Sequence, residues 1–206
     1  LQAQNFTPDE VVIDFTTKDA FLHNLPILCE KKVNIVAGTT GWYGDVDKIK
    51  TLVQKSGNAF LYASNFSLPT QIFWKVIEQA SCMMNKVEGM DVMLRETHHN
   101  MKKDAPSGTA LTTAQKILAG FTKKNKIVDT KLDRVIEPNE LHVSSTRGGF
   151  VFGEHEVWFD GPNDSVRIIH TAKSRDGFAA GAVLAAQWLV GKPGFHTIDD
   201  LLKDIL

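Results

Sequence analysis

The sequence predicts two unlike folding units, an α/β part built on a parallel sheet and an α+β part with a mixed, mostly antiparallel sheet and helices. In the first part, strand-like and helix-like segments alternate with short links, which is typical of parallel βαβ units. Further along, two long helical patterns precede three alternating segments that are joined by short polar turns. Such turns favour antiparallel pairing, so the two parts are expected to differ in strand direction.

The first part is predicted from short β-branched and aromatic runs, which are the usual composition of buried parallel strands. Its strands are expected at 11–15, 33–37 and 59–63, and its helices at 17–32 and 45–55. Thr17 is a suitable N-cap, because its hydroxyl can accept a hydrogen bond from the first turn. Gly57 follows the second helix and suits its C-terminal cap.

The second part begins after Pro69, where the pattern changes to longer elements. Helices are expected at 71–87, 107–124 and 177–190 and from 197 onward, and strands at 91–98, 141–146, 150–159 and 165–172. The charged, Pro-containing stretch 125–140 is expected to be a surface loop. We divide the chain into residues 1–66 with 176–206, and residues 67–175, because the last helices are expected to return to the first part.

Composition excludes several classes of protein. Of the 206 residues, 43% are hydrophobic and 23% are charged, as in ordinary globular proteins. Lys and Arg number 23 against 24 Asp and Glu, so no overall positive field attracts nucleic acid or an anionic membrane. Cys29 and Cys82 are too few for a disulfide scaffold, and no apolar run reaches the roughly 20 residues that span a bilayer. A reducing, cytoplasmic setting is expected.

The densest group of reactive side chains lies between residues 96 and 110. It brings two imidazoles, an ammonium group and a helix start into one short stretch: His98, His99, Lys102, Ser107, Gly108 and Thr109. The first backbone N–H groups of a helix have no partner within the helix and lie at its positive end. This combination predicts a site for a carboxylate or phosphate, with imidazoles close enough to move a proton.

Two other uses of this stretch are disfavoured. Adjacent strand residues point to opposite faces, so His98 and His99 make a poor chelating pair, and the spacings typical of zinc sites do not occur in the sequence. We therefore expect no metal. A serine hydrolase is disfavoured because the sequence contains no Gly-x-Ser-x-Gly elbow.

Small, polar and aromatic residues follow each predicted strand of the first part. Open α/β sheets bind ligands at the carboxyl ends of their strands, so these residues predict a site for a nucleotide or another cofactor. They are Phe15, Gly38, Thr39, Thr40, Ala63, Ser64, Asn65 and Phe66.

At these places the sequence resembles the 4-hydroxy-tetrahydrodipicolinate reductase (dihydrodipicolinate reductase) family of lysine and diaminopimelate biosynthesis. The stretch from Asp104 to Ala110, with the histidine pair upstream of it, carries the resemblance most specifically, whereas the glycine turns are less specific. The matching segments occur in the family's order along nearly the whole chain: 13–16, 38–41, 63–67, 98–110, 153–155 and 172–181.

The resemblance implies an enzyme that uses NADH or NADPH to reduce 4-hydroxy-tetrahydrodipicolinate. It also implies a Rossmann-like dinucleotide-binding domain and a substrate domain whose sheet builds a homotetramer. In that family pattern His98 is the catalytic acid and Lys102 the second proton donor. The dicarboxylate substrate would be held by His99, Ser107, Gly108 and Thr109, and the cofactor by the strand-end residues together with Arg175 and Phe178. Closure between the two domains would bring cofactor and substrate together.

Three features depart from the family pattern. The resemblance implies an opening strand, a Gly-rich phosphate loop and a helix ahead of Leu1, so we expect this chain to bind the cofactor weakly. Met101 stands where the family usually has a further histidine, which removes a basic group near the carboxylates. Pro69 stands where a glycine is common, and its ring stiffens the chain after Phe66.

Two other functions stay open from the sequence. One is a nicotinamide-dependent dehydrogenase of another small acid, which would keep the strand-end residues but would not need a dicarboxylate pocket. The other is a non-catalytic binding or assembly module that uses the antiparallel sheet. Affinity for pyridine-2,6-dicarboxylate separates the first from the reductase, and titration with the cofactor separates the second.

Overall fold

The chain folds into two units that each have a sheet and a core of their own. The computed structural model describes residues 1, 3–7 and 9–206. One compact unit comprises Leu1–Ser67 with Asp176–Leu206, and the other comprises Leu68–Arg175. The first holds a parallel sheet and the second a mixed sheet, so the predicted fold class is confirmed. No helix among the described residues is long and apolar enough to cross a membrane.

The elements are numbered along the chain. The strands are β1 Val11–Asp14, β2 Asn34–Ala37, β3 Ala59–Tyr62, β4 Asp91–His98, β5 Lys126–Val128, β6 Glu140–Arg147, β7 Gly153–Asp160, β8 Ser165–Ala172 and β9 Gly194–Thr197. The α-helices are α1 Lys18–Glu30, α2 Val46–Ser56, α3 Leu68–Met84, α4 Gly108–Gly120, α5 Asp176–Leu189 and α6 Ile198–Ile205. A single 3-10 turn at Tyr43–Asp45 precedes α2.

In the first unit, the strands lie in the order β1-β2-β3-β9, and all the pairings are parallel. The sequence does not predict β9, because four half-buried residues are too few to show an apolar pattern. Its place beside β3 is set by tertiary pairing, in which Ala59 lies opposite Gly194.

Aromatic packing and local caps hold the first unit together. Phe21, Trp42 and Phe60 are buried, and the Phe21 and Trp42 ring centroids are 5.1 Å apart. The Thr17 hydroxyl accepts a hydrogen bond from the Ala20 N–H at the start of α1, and Gly57 ends α2 with a φ of 74°. Both predicted caps are confirmed, and they define where the loops at the strand ends begin.

In the second unit the strand order is β5-β6-β4-β7-β8. The pairs β5–β6 and β6–β4 are parallel, whereas β4–β7 and β7–β8 are antiparallel. The sheet is thus mixed, as predicted, and most of its paired residues lie in the two antiparallel pairs of strands; what is corrected is the pairing expected between β6 and β7. The short turn between β6 and β7 makes no hairpin, because β4 lies between these two strands and takes the hydrogen bonds of both.

The stretch 125–140 is a second correction, because it contains β5 and is not simply a surface loop. Its end is anchored by Glu140, a buried side chain that accepts hydrogen bonds from Lys126 Nζ at 2.8 Å and Arg134 Nη2 at 2.8 Å. A buried carboxylate needs such partners. The charged residues of this stretch thus pair with one another and hold the short edge strand β5 in place.

Helices α3 and α4 cover one face of this sheet and complete its core, which includes Trp74, Ile77, Leu94, Ile117 and Phe159. Helix α3 begins at Leu68, three residues earlier than expected, since proline is tolerated in the first turn of a helix. Close packing of the two helices depends on Gly120, where a Cβ would lie 2.8 Å from the Glu78 carbonyl oxygen. This packing holds the start of α4 beside β4.

Candidate active site

The catalytic candidate His98 ends β4 and is buried, with 6% of its surface exposed. Alternation along the strand places Glu96 on the same face, and Glu96 is fully buried. On the neighbouring strand β7, His155 lies directly opposite Glu96. The rings of His98 and His155 have centroids 5.2 Å apart. The end of the sheet therefore carries a buried carboxylate between two imidazoles.

Glu96 accepts hydrogen bonds from three directions. The Ser107 N–H donates to both carboxylate oxygens at 3.0 and 3.1 Å. Ser145 Oγ and Arg147 Nη2 each donate to Oε1 at 2.7 Å. Burial opposes the charged form, but hydrogen bonds from His155, Ser107, Arg147 and Ser145 outweigh it and hold the pKa of Glu96 well below its usual value. Glu96 is therefore a fixed negative charge at the base of the site.

His98 lies against this charge but is poorly solvated. Its Nδ1 lies 3.4 Å from Glu96 Oε2, and His155 Nε2 lies 3.6 Å from the same oxygen. Burial lowers the pKa of His98 to about 4; the Glu96 charge opposes this, whereas His155, Lys102 and Arg147 act in the same direction as burial. Burial keeps His98 neutral in the absence of a ligand that brings its own negative charge.

Ser107 is placed as expected at the start of α4, but one of its expected roles is corrected. Its Oγ accepts from the Ala110 N–H and lies 3.1 Å from His155 Nε2. Its own N–H is bound to Glu96, so it is not an open donor for an anion. Gly108 and Thr109 form the first turn of α4, where helix geometry leaves N–H groups without helical partners.

Lys102 and His99 lie in the loop between β4 and α4. Lys102 Nζ binds Asp104 at 2.8 Å, and this hydrogen bond holds the pKa of the Asp104 carboxyl below its usual value. Arg147 Nη2 donates to the Asp104 carbonyl oxygen at 2.6 Å, and the His99 N–H donates to the Val151 carbonyl. Met101 is exposed. The loop is thus tied to β6 and to the segment before β7.

A metal ion is one possible occupant of this cluster, since ligand atoms of Glu96, His98 and His155 all lie within 4.8 Å of one another. The carboxylate is, however, already bound by Ser145, by Arg147 and by the Ser107 N–H. A cation here would compete with a guanidinium at 2.7 Å. The Glu96 carboxylate is thus occupied by donors of the protein itself, and the absence of a metal stays a prediction.

The cofactor candidates of the first unit gather at the carboxyl ends of its strands. The Gly38 N–H donates to the Asp14 carbonyl at 2.8 Å, and Thr39 Oγ1 donates to the Asp14 carboxylate. The Phe15 and Phe66 rings meet edge to face at 5.9 Å. The loop residues that follow β1, β2 and β3 are therefore brought to one place.

The residues at this edge differ in their exposure. Phe15, Thr40 and Ser64 are exposed there, whereas Asn65 is buried and accepts from the Ser67 N–H. A neighbouring cavity of about 300 Å³ is lined by Tyr43, Tyr62, Ala63, Ser64, Thr197, Ile198 and Asp199. Phe178 is half-buried in the first turn of α5, and Arg175 is the last residue of the second unit.

Sequence reasoning left three site residues out of the candidate set: Glu96, Arg147 and His155. Their signal is the strand register, because β4 lies between β6 and β7 and places Glu96 opposite His155 and near Arg147. That register depends on which strands are neighbours. The alternation in β4 alone puts Glu96 and His98 on one face, and this part of the signal is present in the sequence.

The comparison with known proteins covers both units. The family model described as "Dihydrodipicolinate reductase, N-terminus" matches residues 2–66, and the one described as "Dihydrodipicolinate reductase, C-terminus" matches residues 70–202. The chain belongs to the dihydrodipicolinate reductase family. It is thus an enzyme of a reductase family, and the Rossmann-like N-terminal domain of dihydrodipicolinate reductases implies a nicotinamide cofactor.

Individual relatives agree with this family. A 4-hydroxy-tetrahydrodipicolinate reductase of Christiangramia forsetii is 39% identical over 95% of this chain and 80% of its own length. That of Archaeoglobus fulgidus is 41% identical over 94% of this chain and 76% of its own length. The dipicolinate-bound dihydrodipicolinate reductase of Paenisporosarcina sp. TG-14 has the same fold, with a TM-score of 0.74 at 22% identity, covering 93% of this chain and 73% of that one.

Proposed function

We propose that this chain reduces 4-hydroxy-tetrahydrodipicolinate to tetrahydrodipicolinate in lysine and diaminopimelate biosynthesis. One observation carries the proposal: a buried imidazole, His98, lies against a fixed carboxylate at the end of β4, beside a lysine and the start of a helix. Such a site can bind an acidic substrate and protonate it. The names of the relatives supply the substrate, which the geometry alone does not specify.

The reaction requires one hydride and one proton, and it releases the hydroxyl group as water. A reduced nicotinamide, when bound, supplies the hydride. His98 donates this proton as the acid. Lys102, which is paired with Asp104, is the second proton donor, and a proton that it gives to the leaving hydroxyl group is balanced by the one that the substrate ring loses as water departs. A positioned acid contributes about 10²–10⁴ in rate. The negative charge of the substrate favours the protonated form of His98, because it offsets the effect of burial, which otherwise keeps the imidazole neutral.

The two carboxylates of the substrate are assigned to the donors around His98. Gly108 and Thr109 offer N–H groups at the positive end of α4, and His99 offers its imidazole. Ser107 contributes by binding Glu96 and His155, since its own N–H is occupied. Backbone donors and cations together suit a dicarboxylate.

The cofactor is assigned to the first unit, residues 1–66 with 176–206, and the substrate to residues 67–175. The residues assigned to contact the cofactor are Phe15, Gly38, Thr39, Thr40, Ala63, Ser64, Asn65 and Phe66, with Arg175 and Phe178. The cofactor assigned to these residues is a reduced nicotinamide, NADH or NADPH, and the assignment makes no choice between the two.

A homotetramer is proposed to form through the second sheet. Its face away from α3 and α4 leaves Met93 and Ile169 exposed, at 36% and 54%. On the same face Arg167 stacks on Trp158 at 3.6 Å and pairs with Glu156 at 3.6 Å. An exposed apolar and aromatic face is typical of a subunit interface. Sedimentation of the chain tests this, and a monomer at high concentration would refute it.

A reducing compartment such as the cytoplasm is proposed because Cys29 and Cys82 are both free thiols.

The direct test of the function is oxidation of reduced nicotinamide by the chain with freshly generated substrate, at cofactor concentrations high enough to saturate the weak binding expected of this chain. We expect turnover that is lost in the His98→Gln/Lys102→Ala double variant. Lys103→Ala, which removes a neighbouring exposed ammonium group, serves as the matched control. Full turnover by the double variant would overturn the roles, and the absence of turnover in the wild type would overturn the function.

A further inference from the structure

The carboxylate of Glu96 is held by hydrogen bonds from three residues. It is fully buried, and its donors come from β6 and from the start of α4, through Ser145, Arg147 and the Ser107 N–H. Such anchoring fixes both oxygens in place. The oxygen Oε2 is turned toward the imidazoles of His98 and His155.

The two nitrogens of His98 have different surroundings. Nδ1 is buried, has no aligned hydrogen bond within the described part of the chain, and lies 3.4 Å from Glu96 Oε2. Nε2 lies beside Gly153, where a Cβ would be only 2.9 Å from it. The missing side chain at Gly153 leaves room beside Nε2. The ring therefore has one nitrogen facing a carboxylate and the other beside a position that carries no side chain.

We propose that Glu96 is a positioning residue for His98. Its carboxylate keeps a proton on Nδ1 of His98 and stabilises the imidazolium, so that the transferred proton leaves from Nε2. The proposal rests on the proposed function, in which His98 is the acid. In the step, the Nε2–H bond breaks, its electron pair stays on nitrogen, and the proton bonds to the substrate. The hydrogen bond or ion pair at one imidazole nitrogen decides which nitrogen carries or releases the proton.

The charges that face His98 come from several elements, and Glu96 is the one that favours its protonated form. His155 on β7, Lys102 in the loop after β4 and Arg147 on β6 all disfavour it, and so does burial. Removal of the Glu96 charge should therefore make His98 harder to protonate. A lost unit of pKa reduces the protonated fraction about tenfold at neutral pH.

The first experiment is nitrogen NMR of histidine-labelled wild-type chain, which reads the tautomer and titration of His98 without any substitution. His98→Gln identifies its signal. We expect the neutral ring to carry its proton on Nδ1. A proton on Nε2 instead would overturn the proposal, whatever the behaviour of the variants.

The second experiment compares Glu96→Gln with Glu154→Gln. Glu154 is adjacent to Gly153 but bonds to Thr171 and points to the opposite face of the sheet from His155. In Glu96→Gln we expect the His98 titration and the alkaline limb of kcat to move to lower pH, and kcat at neutral pH to fall about tenfold for each unit of that shift. We expect KM for the substrate to change little.

Equal titration curves and equal kcat in the two variants would overturn the proposal. Should Glu96→Gln fail to fold, the wild-type tautomer decides alone. An active wild type with the Nε2-protonated tautomer refutes the positioning role and leaves the proposed function standing, whereas an inactive wild type refutes the function itself.

Discussion

The ends of the strands differ sharply between the two units. In the first unit the ends of β1, β2 and β3 lead into loops of small, uncharged or aromatic residues, of which Phe15, Thr40 and Ser64 are exposed. In the second they carry a buried carboxylate with two imidazoles and a guanidinium around it. Small exposed residues hold a ligand through shape and backbone contacts, whereas buried ionisable groups control protons. Within one chain, the first unit is thus suited to placing a ligand and the second to transferring a proton.

The largest effect expected from this separation is on rate. His98→Gln should lower kcat about 10²–10⁴-fold, because it removes the acid, while the dissociation constant for reduced nicotinamide stays the same. Steady-state kinetics and fluorescence titration measure the two quantities. A parallel loss of cofactor affinity would show that the two sites are not functionally separate.

The next effect is on the free energy of unfolding at low pH, and we expect it to arise from His98 in the buried cluster of the second unit. The pKa of His98 is about 4 in the folded chain, against 6.5 for an exposed histidine. Between pH 6.5 and pH 4, His98 therefore binds a proton in the unfolded chain but not in the folded chain. His98 therefore costs stability as pH falls, by about 3 kcal/mol at the lower end.

Urea unfolding of wild type and His98→Gln at neutral pH and near pH 4 measures this difference. We expect the wild type to lose more stability than the variant over that interval. Equal losses in the two proteins would mean that His98 titrates normally and is not held neutral by burial.

A smaller effect tests the packing that supports the cofactor edge. At Gly181 a Cβ would lie 1.8 Å from the Phe66 carbonyl oxygen, whereas at Gly177 in the same helix the nearest atom would be Ser67 Oγ at 3.7 Å. Gly181→Ala should therefore destabilise the chain by about 1–3 kcal/mol. Gly177→Ala should be neutral or slightly stabilising in a thermal melt, and a similar loss in both would contradict the close contact.

The smallest effect concerns the contact between Gly38 and the Phe15 ring. A Cβ at Gly38 would lie 2.2 Å from the Phe15 ring, which is exposed and free to turn away. We expect Gly38→Ala to weaken cofactor binding by about 1 kcal/mol or less, at the low end of overpacking costs, with kcat retained at saturation. Gly44→Ala, which meets no atom within 4 Å, is the control. Unchanged cofactor affinity in Gly38→Ala would remove Phe15 from the cofactor contacts.

Local sequence signals predicted much of this molecule because they act over a few residues. Neighbouring residues account for the Thr17 and Gly57 caps, for strands β1, β2 and β3, and for the helix start at Ser107. Strand β9 and strand β5 escaped notice because each is short and gains its stability from a partner strand. The hairpin expected between β6 and β7 failed because β4 pairs with both.

The sequence by itself determined the fold class, the boundaries of the longer elements and the place of His98 at a strand end next to a helix start. Only the tertiary structure decided that Glu96 binds the Ser107 N–H, that His155 lies opposite Glu96, and that Arg147 closes the network. Periodicity and capping depend on nearby residues, and the chain order alone expresses them. A buried charge depends on partners from distant strands, and those become neighbours only when the sheet order is set.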